Sequence, residues 1–250
     1  MTEYGFPTEQ IDLPSAGKLY PSTSPLSTGK LDIKYMTAKE EDILTSTNLI
    51  QKGTVIDKLI ESLVVTKGVS PDDLVIGDTN AVLIASRILA YGKDYPIEVS
   101  CQSCEGKFKH TVDLSLLEMT TPDATTVEGE FSMELPTGLT ITFKLLTRRD
   151  EKAIKQEVDA MKKFNNNIET DSSTRLKYII KSVNGERDRK KVRDFVDGMI
   201  MRDIRALREE IKRVSPDVKF DLDISCELCG HLNQVRMPMG ANFFWPDIDG

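Results

Sequence analysis

The chain has 250 residues, with 33 Lys+Arg against 40 Asp+Glu and a hydrophobic fraction of 39%. That composition excludes a collagen-like, wholly disordered or membrane-embedded protein, and the length allows one elaborated domain or two small ones. The net charge of −7 argues against a phosphate backbone as the main partner, because neutralising phosphates requires a basic surplus.

Residues 1–30 are rich in Pro, Ser, Thr and Gly and show no apolar period. They read as an extended amino-terminal arm. It reads either as a frayed terminus or, since Ile11, Leu13, Tyr20 and Leu26 make it more apolar than a linker needs, as an arm that orders against a partner. The start, MTEYGFPTEQ, lacks a basic and apolar leader. The expectation is synthesis in the cytosol without secretion.

Residues 30–36 alternate polar and apolar, which predicts a half-buried strand. Thr37 with Glu40 three places on is a capping box, so a helix begins there. Further helices are predicted over 55–65 and 79–91, the latter apolar around much of its circumference and hence largely buried.

From Tyr95 the period changes to two. Ile97, Val99 and Cys101 alternate with polar residues, then Phe108, His110, Val112 and Leu114 do the same. A second hairpin is predicted over 131–135 and 139–143, turning through Pro136-Thr137-Gly138. Residues 147–164, 173–183 and 188–213 read as a helical block, broken at Asn165-Asn166-Asn167 and near Gly198. Val218, Phe220, Leu222 and Ile224 then alternate again.

The chemistry is carried by Cys101-Gln102-Ser103-Cys104 and Cys226-Glu227-Leu228-Cys229. Each pair is entered by an alternating strand and followed by a glycine, Gly106 or Gly230, and another strand-like stretch. That is the pattern of a zinc knuckle, in which a turn presents two thiolates. Four thiolates suit one tetrahedral Zn2+ and leave no open coordination position, so the site predicted at Cys101, Cys104, Cys226 and Cys229 is structural. Other readings stay open at this stage: a redox pair, buried unpaired cysteines, or a metal shared between chains. A reactive C-x-x-C normally sits at a helix amino end beside a βαβ unit, and these sit in strand turns. Between the pairs lie 121 residues (226 − 104 − 1), far more than an ordinary zinc ribbon has.

His110 and His231 are the only histidines. His231 is close enough to Cys229 to compete as a ligand, while His110 reads as a strand residue. Acyl-transfer, P-loop and dinucleotide-binding motifs are absent, so an enzyme is not expected. The basic residues of 187–213 are interleaved with acids, which predicts a solvated, ion-paired helix surface. The aromatic tail Phe243-Phe244-Trp245 must be buried, either in its own domain or as a partner anchor.

The fold class expected is α+β. A zinc-ribbon-like β element forms from the two distant knuckles, with a hairpin and a helical block inserted. The 131–143 hairpin should lie beside the cysteine strands. By segment, 1–30 is the arm, 31–94 an amino-terminal strand with helices, and 95–250 a zinc-linked domain whose helical insertion is 147–213.

The order of Leu13-Pro14-Ser15-Ala16-Gly17-Lys18-Leu19-Tyr20-Pro21, the stretch 36–44, the two cysteine pairs and the closing 240–246 resembles the T4-like bacteriophage baseplate protein family. That family includes baseplate hub assembly proteins of contractile-tailed phages. The resemblance implies a non-enzymatic structural or assembly role in a tail baseplate hub, through binding other phage baseplate and tail proteins. It implies residence in the host cytoplasm during assembly and in the virion if the chain is retained. On this reading Leu13, Tyr20, Phe243, Phe244 and Trp245 are the expected partner-binding residues. The competing class is a zinc-ribbon adaptor for nucleic acid or the transcription machinery, against which the net acidity counts.

Overall fold

A computed structural model describes residues 6–122, 126, 129–164, 171–239 and 243–244. Strand β1 (Thr8–Asp12) pairs antiparallel with β2 (Lys30–Lys34), from Thr8↔Lys34 to Asp12↔Lys30. The described part of the arm is therefore folded back on its own chain. Leu13 and Leu26 from the arm, with Leu31 and Ile33 of β2, enter a first apolar core.

Thr37 caps α1 (Ala38–Thr45) through the anticipated capping box. Its Glu40 does more than cap. The side chain is fully buried, and it accepts hydrogen bonds from Lys34 Nζ at 2.7 Å, from the Thr37 amide at 2.9 Å and hydroxyl at 2.7 Å, and from Ser62. A buried carboxylate persists only when its lone pairs are filled this way. Helices α2 (Thr47–Gln51) and α3 (Val55–Leu63) follow, and then the long α4 (Ile76–Tyr91). The amino end of α4 carries Asp78, fully buried, which accepts from the Ser15 amide and hydroxyl and from the Tyr20 hydroxyl at 2.6–2.9 Å. Burial, opposed by these hydrogen bonds, raises the Asp78 carboxyl above the usual range. The bonds fasten the loop after β1 to α4.

Two hairpins complete this half: β3 (Asp94–Ser100) with β4 (Lys107–Asp113), and β10 (Asp221–Ser225) with β11 (Leu232–Arg236). Between them in sequence come β5 (Met119–Thr120), β6 (Glu130–Glu134), β7 (Thr140–Lys144), α5 (Arg148–Phe164), α6 (Asp171–Ile179), β8 (Ile180–Val183), α7 (Arg189–Asp197), α8 (Met201–Val214) and β9 (Asp217–Val218). The short β5 pairs with β9.

The 131–143 hairpin does not lie beside the cysteine strands. Strand β8 adds to its edge, giving the order β6-β7-β8. The inward residues Phe131, Ile141, Phe143 and Ile180 form a second core with Val192 and Leu207 of α7 and α8. The reason lies in 178–183. Buried Ile180 and Ser182 alternate with the half-buried Lys181 and Val183, so these residues fill a sheet edge where continued helix would expose them. Beside Tyr20, which packs against both cores, ion pairs cross the seam joining them. Across it Arg148, 4% exposed, reaches Asp57 at 2.6 Å, Lys152 reaches Asp72 at 2.6 Å and Arg149 reaches Asp73 at 2.7 Å. The basic stretch 187–213 is a solvated ion-paired surface, as in Arg187–Glu130 at 2.8 Å, Arg205–Glu209 at 3.0 Å and Arg213–Glu210 at 2.6 Å.

Candidate metal centre

Each cysteine pair sits in the turn of one of the two isolated hairpins, and the turns have the same construction. The Cys101 amide donates to Gly106 O at 2.9 Å, and the Cys226 amide to His231 O at 2.8 Å. The Glu105 amide donates to Cys101 O at 3.0 Å, and the Gly230 amide to Cys226 O at 2.9 Å. The Ser103 amide points at Cys101 Sγ and the Leu228 amide at Cys226 Sγ, both at 3.4 Å. The flanking pairs Ser100↔Lys107 and Ser225↔Leu232 match too. Every equivalence is an offset of 125 residues (226 − 101), so the chain carries one hairpin-and-knuckle unit twice.

The residue after the second cysteine must turn left-handed in both copies. Gly230 has φ 74°, but its counterpart is Glu105 at φ 57°, not Gly106. A side chain there costs roughly 1–2 kcal/mol, partly offset by the greater freedom a glycine has when unfolded. Glu105→Gly should therefore stabilise the protein by up to about 1 kcal/mol, read as a higher urea midpoint at unchanged slope.

The hairpins bring the four sulfurs together. Cys101 Sγ lies 3.6 Å from Cys229 Sγ and Cys104 Sγ lies 3.8 Å from Cys226 Sγ, and all four are within 4.8 Å of one another. Zinc–sulfur bonds of about 2.3 Å at tetrahedral angles put sulfurs about 3.8 Å apart, so the donor set fits one such ion. Cys101 and Cys226 are buried, Cys104 and Cys229 exposed. The Cys104 amide, against the cost of desolvation, brings the Cys101 thiol down to about 6 with help from the Ser103 amide. The Cys229 thiol is pushed up to about 12, because the lowering by the His231 amide is outweighed by desolvation and by the three neighbouring sulfurs. Four thiolates in one shell repel, and a divalent cation relieves that.

Two contacts lock the knuckles to each other. Asn233 is fully buried; its side-chain oxygen accepts from the Gln102 amide at 2.9 Å, and its amide donates to Ile224 O and His231 O. Leu228 rests on Gly106, where a Cβ would come within 2.4 Å of its Cδ1. Sequence reasoning missed both. Setting the two knuckles in register exposes the signal: Asn233 replaces the strand hydrophobe Phe108 and Leu228 replaces Ser103. His231 serves through its carbonyl, and the cluster among the described residues consists of the four cysteines.

The residues expected to anchor a partner are for the most part packed within the chain. Leu13 is 3% exposed, Phe243 1% and Phe244 2%, all within the first core. Phe243 meets Tyr95 edge-on at 5.2 Å and Phe244 at 5.0 Å. Tyr20 is half-buried, with its hydroxyl on Asp78. Pairing of β1 with β2 and packing of Phe243 on Tyr95 of β3 cover this apolar surface within the chain. Trp245 lies outside the described residues.

Fold and site together define an α+β protein whose two distant hairpins close a four-cysteine cluster suited to a metal. Residues 7–245 match the family described as T4 bacteriophage base plate protein. The chain belongs to that family. No curated protein and no solved structure matches it significantly. Among the described residues no helix is long and apolar enough to cross a membrane.

Proposed function

We propose that this chain is a non-enzymatic structural or assembly component of a contractile-tail baseplate hub, built around one structural zinc per chain. The family match over 7–245 carries the reading. The closed donor set agrees with it: four sulfurs fill the sphere of a tetrahedral ion, leaving no position for water or substrate. The zinc, held by Cys101, Cys104, Cys226 and Cys229, ties together two hairpins between which, in sequence, lies most of the second core. A rigid body of this kind binds other baseplate and tail proteins with little further loss of conformational freedom. It is made in the host cytoplasm and enters the tail baseplate.

Quantitative mass spectrometry of purified phage and of baseplate intermediates tests this. The chain is expected in the intermediates at a fixed ratio to other baseplate proteins, and a phage lacking it should accumulate tail parts in place of complete tails. Normal tails from that phage would overturn the proposal. Retention in the finished particle separates a permanent component from an assembly factor. DNA binding with a steep salt slope would favour the nucleic-acid adaptor instead.

A further inference from the structure

The two knuckles share a backbone but not a surface. At the positions where the first carries Ser103 and Lys107, the second carries Leu228 and Leu232 (228 − 103 and 232 − 107 both equal the 125-residue offset). Leu228 is 65% exposed although it rests on Gly106, and Leu232 is 56% exposed. The first copy shows that this backbone is compatible with polar residues at both places, so the leucines are not demanded by the turn.

The charges within the turns are acidic, and Lys107, next to Gly106, is paired with Glu98 at 3.2 Å. The charged side chains within the two turns, 102–106 and 227–231, are Glu105 and Glu227, both exposed and neither in an ion pair among the described residues. Cys104 and Cys229 are exposed beside them, and four thiolates around a divalent ion leave a formal charge of about −2. Apolar contacts within an acidic surround call for an apolar socket with a basic rim.

Resting on the baseplate reading above, we propose that the tip of the second knuckle, through Leu228 and Leu232, is a docking surface for another baseplate protein that presents an apolar socket rimmed by Lys and Arg, with Glu105 and Glu227 facing that rim. An apolar side chain braced on its own protein, as Leu228 is on Gly106, suits an interface anchor, because little entropy is lost when it docks. Opposite charge at the rim governs the encounter and its salt dependence.

The probe is a preparation of baseplate intermediates purified from a phage lacking this chain, titrated with the full-length protein. The double variant L228S/L232K installs the residues of the first knuckle. It should keep its zinc content and its fold, melting a few degrees lower at most because the Leu228–Gly106 contact is lost, yet bind the intermediates at least roughly ten-fold more weakly. E105K/E227K should also bind more weakly, with the difference from wild type shrinking as NaCl rises. Met201→Ser, at another exposed apolar residue (69%), should bind like wild type. Wild-type affinity in folded L228S/L232K would overturn the docking surface while leaving the baseplate role intact. An equal loss in Met201→Ser would overturn it too, as would a wild-type dimer in light scattering that L228S/L232K abolishes. Failure of the wild-type chain to bind the intermediates would remove the baseplate reading and this surface together.

Discussion

Replacing Cys226 with Ser should leave the protein without stoichiometric zinc and lower its melting temperature by about 10 °C or more. Cys226 is buried, its sulfur lies 3.8 Å from Cys104 Sγ, and its backbone closes the second knuckle onto His231. Apparent binding free energies of structural zinc in small peptides are about 10–16 kcal/mol. Even a loss of about 4 kcal/mol shifts the melting point of a chain this size by about 10 °C. The β6-β7-β8 sheet and α6–α8 have their own core, so two transitions are expected: an early one for the hairpins and a later one for the second core. A strong chelator should convert wild type to the variant's melting profile and leave the variant unchanged. Calorimetry with metal analysis checks this. A variant that melts like wild type would show that the first core holds the hairpins without metal.

The second large effect belongs to Glu40. Burial works against its charge, but the hydrogen bonds from Lys34, Ser62 and Thr37 outweigh it, and its pKa falls from 4.5 to about 2. Because the folded-state value is the depressed one, the stabilisation is present above about pH 4.5 and is lost as the pH falls towards 2. Its size is up to about 3 kcal/mol. Glu40→Ala removes the carboxylate and strands Lys34, which is 8% exposed. Breaking a buried pair from one side costs about 3–5 kcal/mol, and the lost capping box adds about 1 kcal/mol. Urea unfolding at pH 7 should show this deficit, which should narrow as the pH approaches 2. A constant deficit across that range would mean that the charge contributes nothing and only the packing of Glu40 matters.

The local elements were legible where a short pattern sufficed. The Thr37 capping box, the buried α4 and both cysteine hairpins follow from period, cap and turn chemistry. The α+β class and the juxtaposition of the cysteines followed too, because matching strand flanks around two C-x-x-C pairs leave few other arrangements. Three features needed information that no window holds. Strand β1 contains one apolar residue, Ile11, in five, and is a strand because β2 offers it an edge. Strand β8 follows α6 without a break, and the edge of β7 decides where the helix stops. The tail and the arm looked partnerless because their cover, the β3–β4 hairpin and α4, lies far away in sequence. The knuckle repeat was available all along, but at an offset of 125 residues (226 − 101), beyond the periods at which repeats are usually sought.

The claim on which the rest depends is that two hairpins close one four-thiolate zinc site in each chain. X-ray absorption at the zinc edge, on full-length protein whose metal content has been measured, tests it most directly. One zinc per chain with four sulfur neighbours at about 2.3 Å is the predicted result. Metal-free protein, or zinc with nitrogen or oxygen among its neighbours, would contradict it.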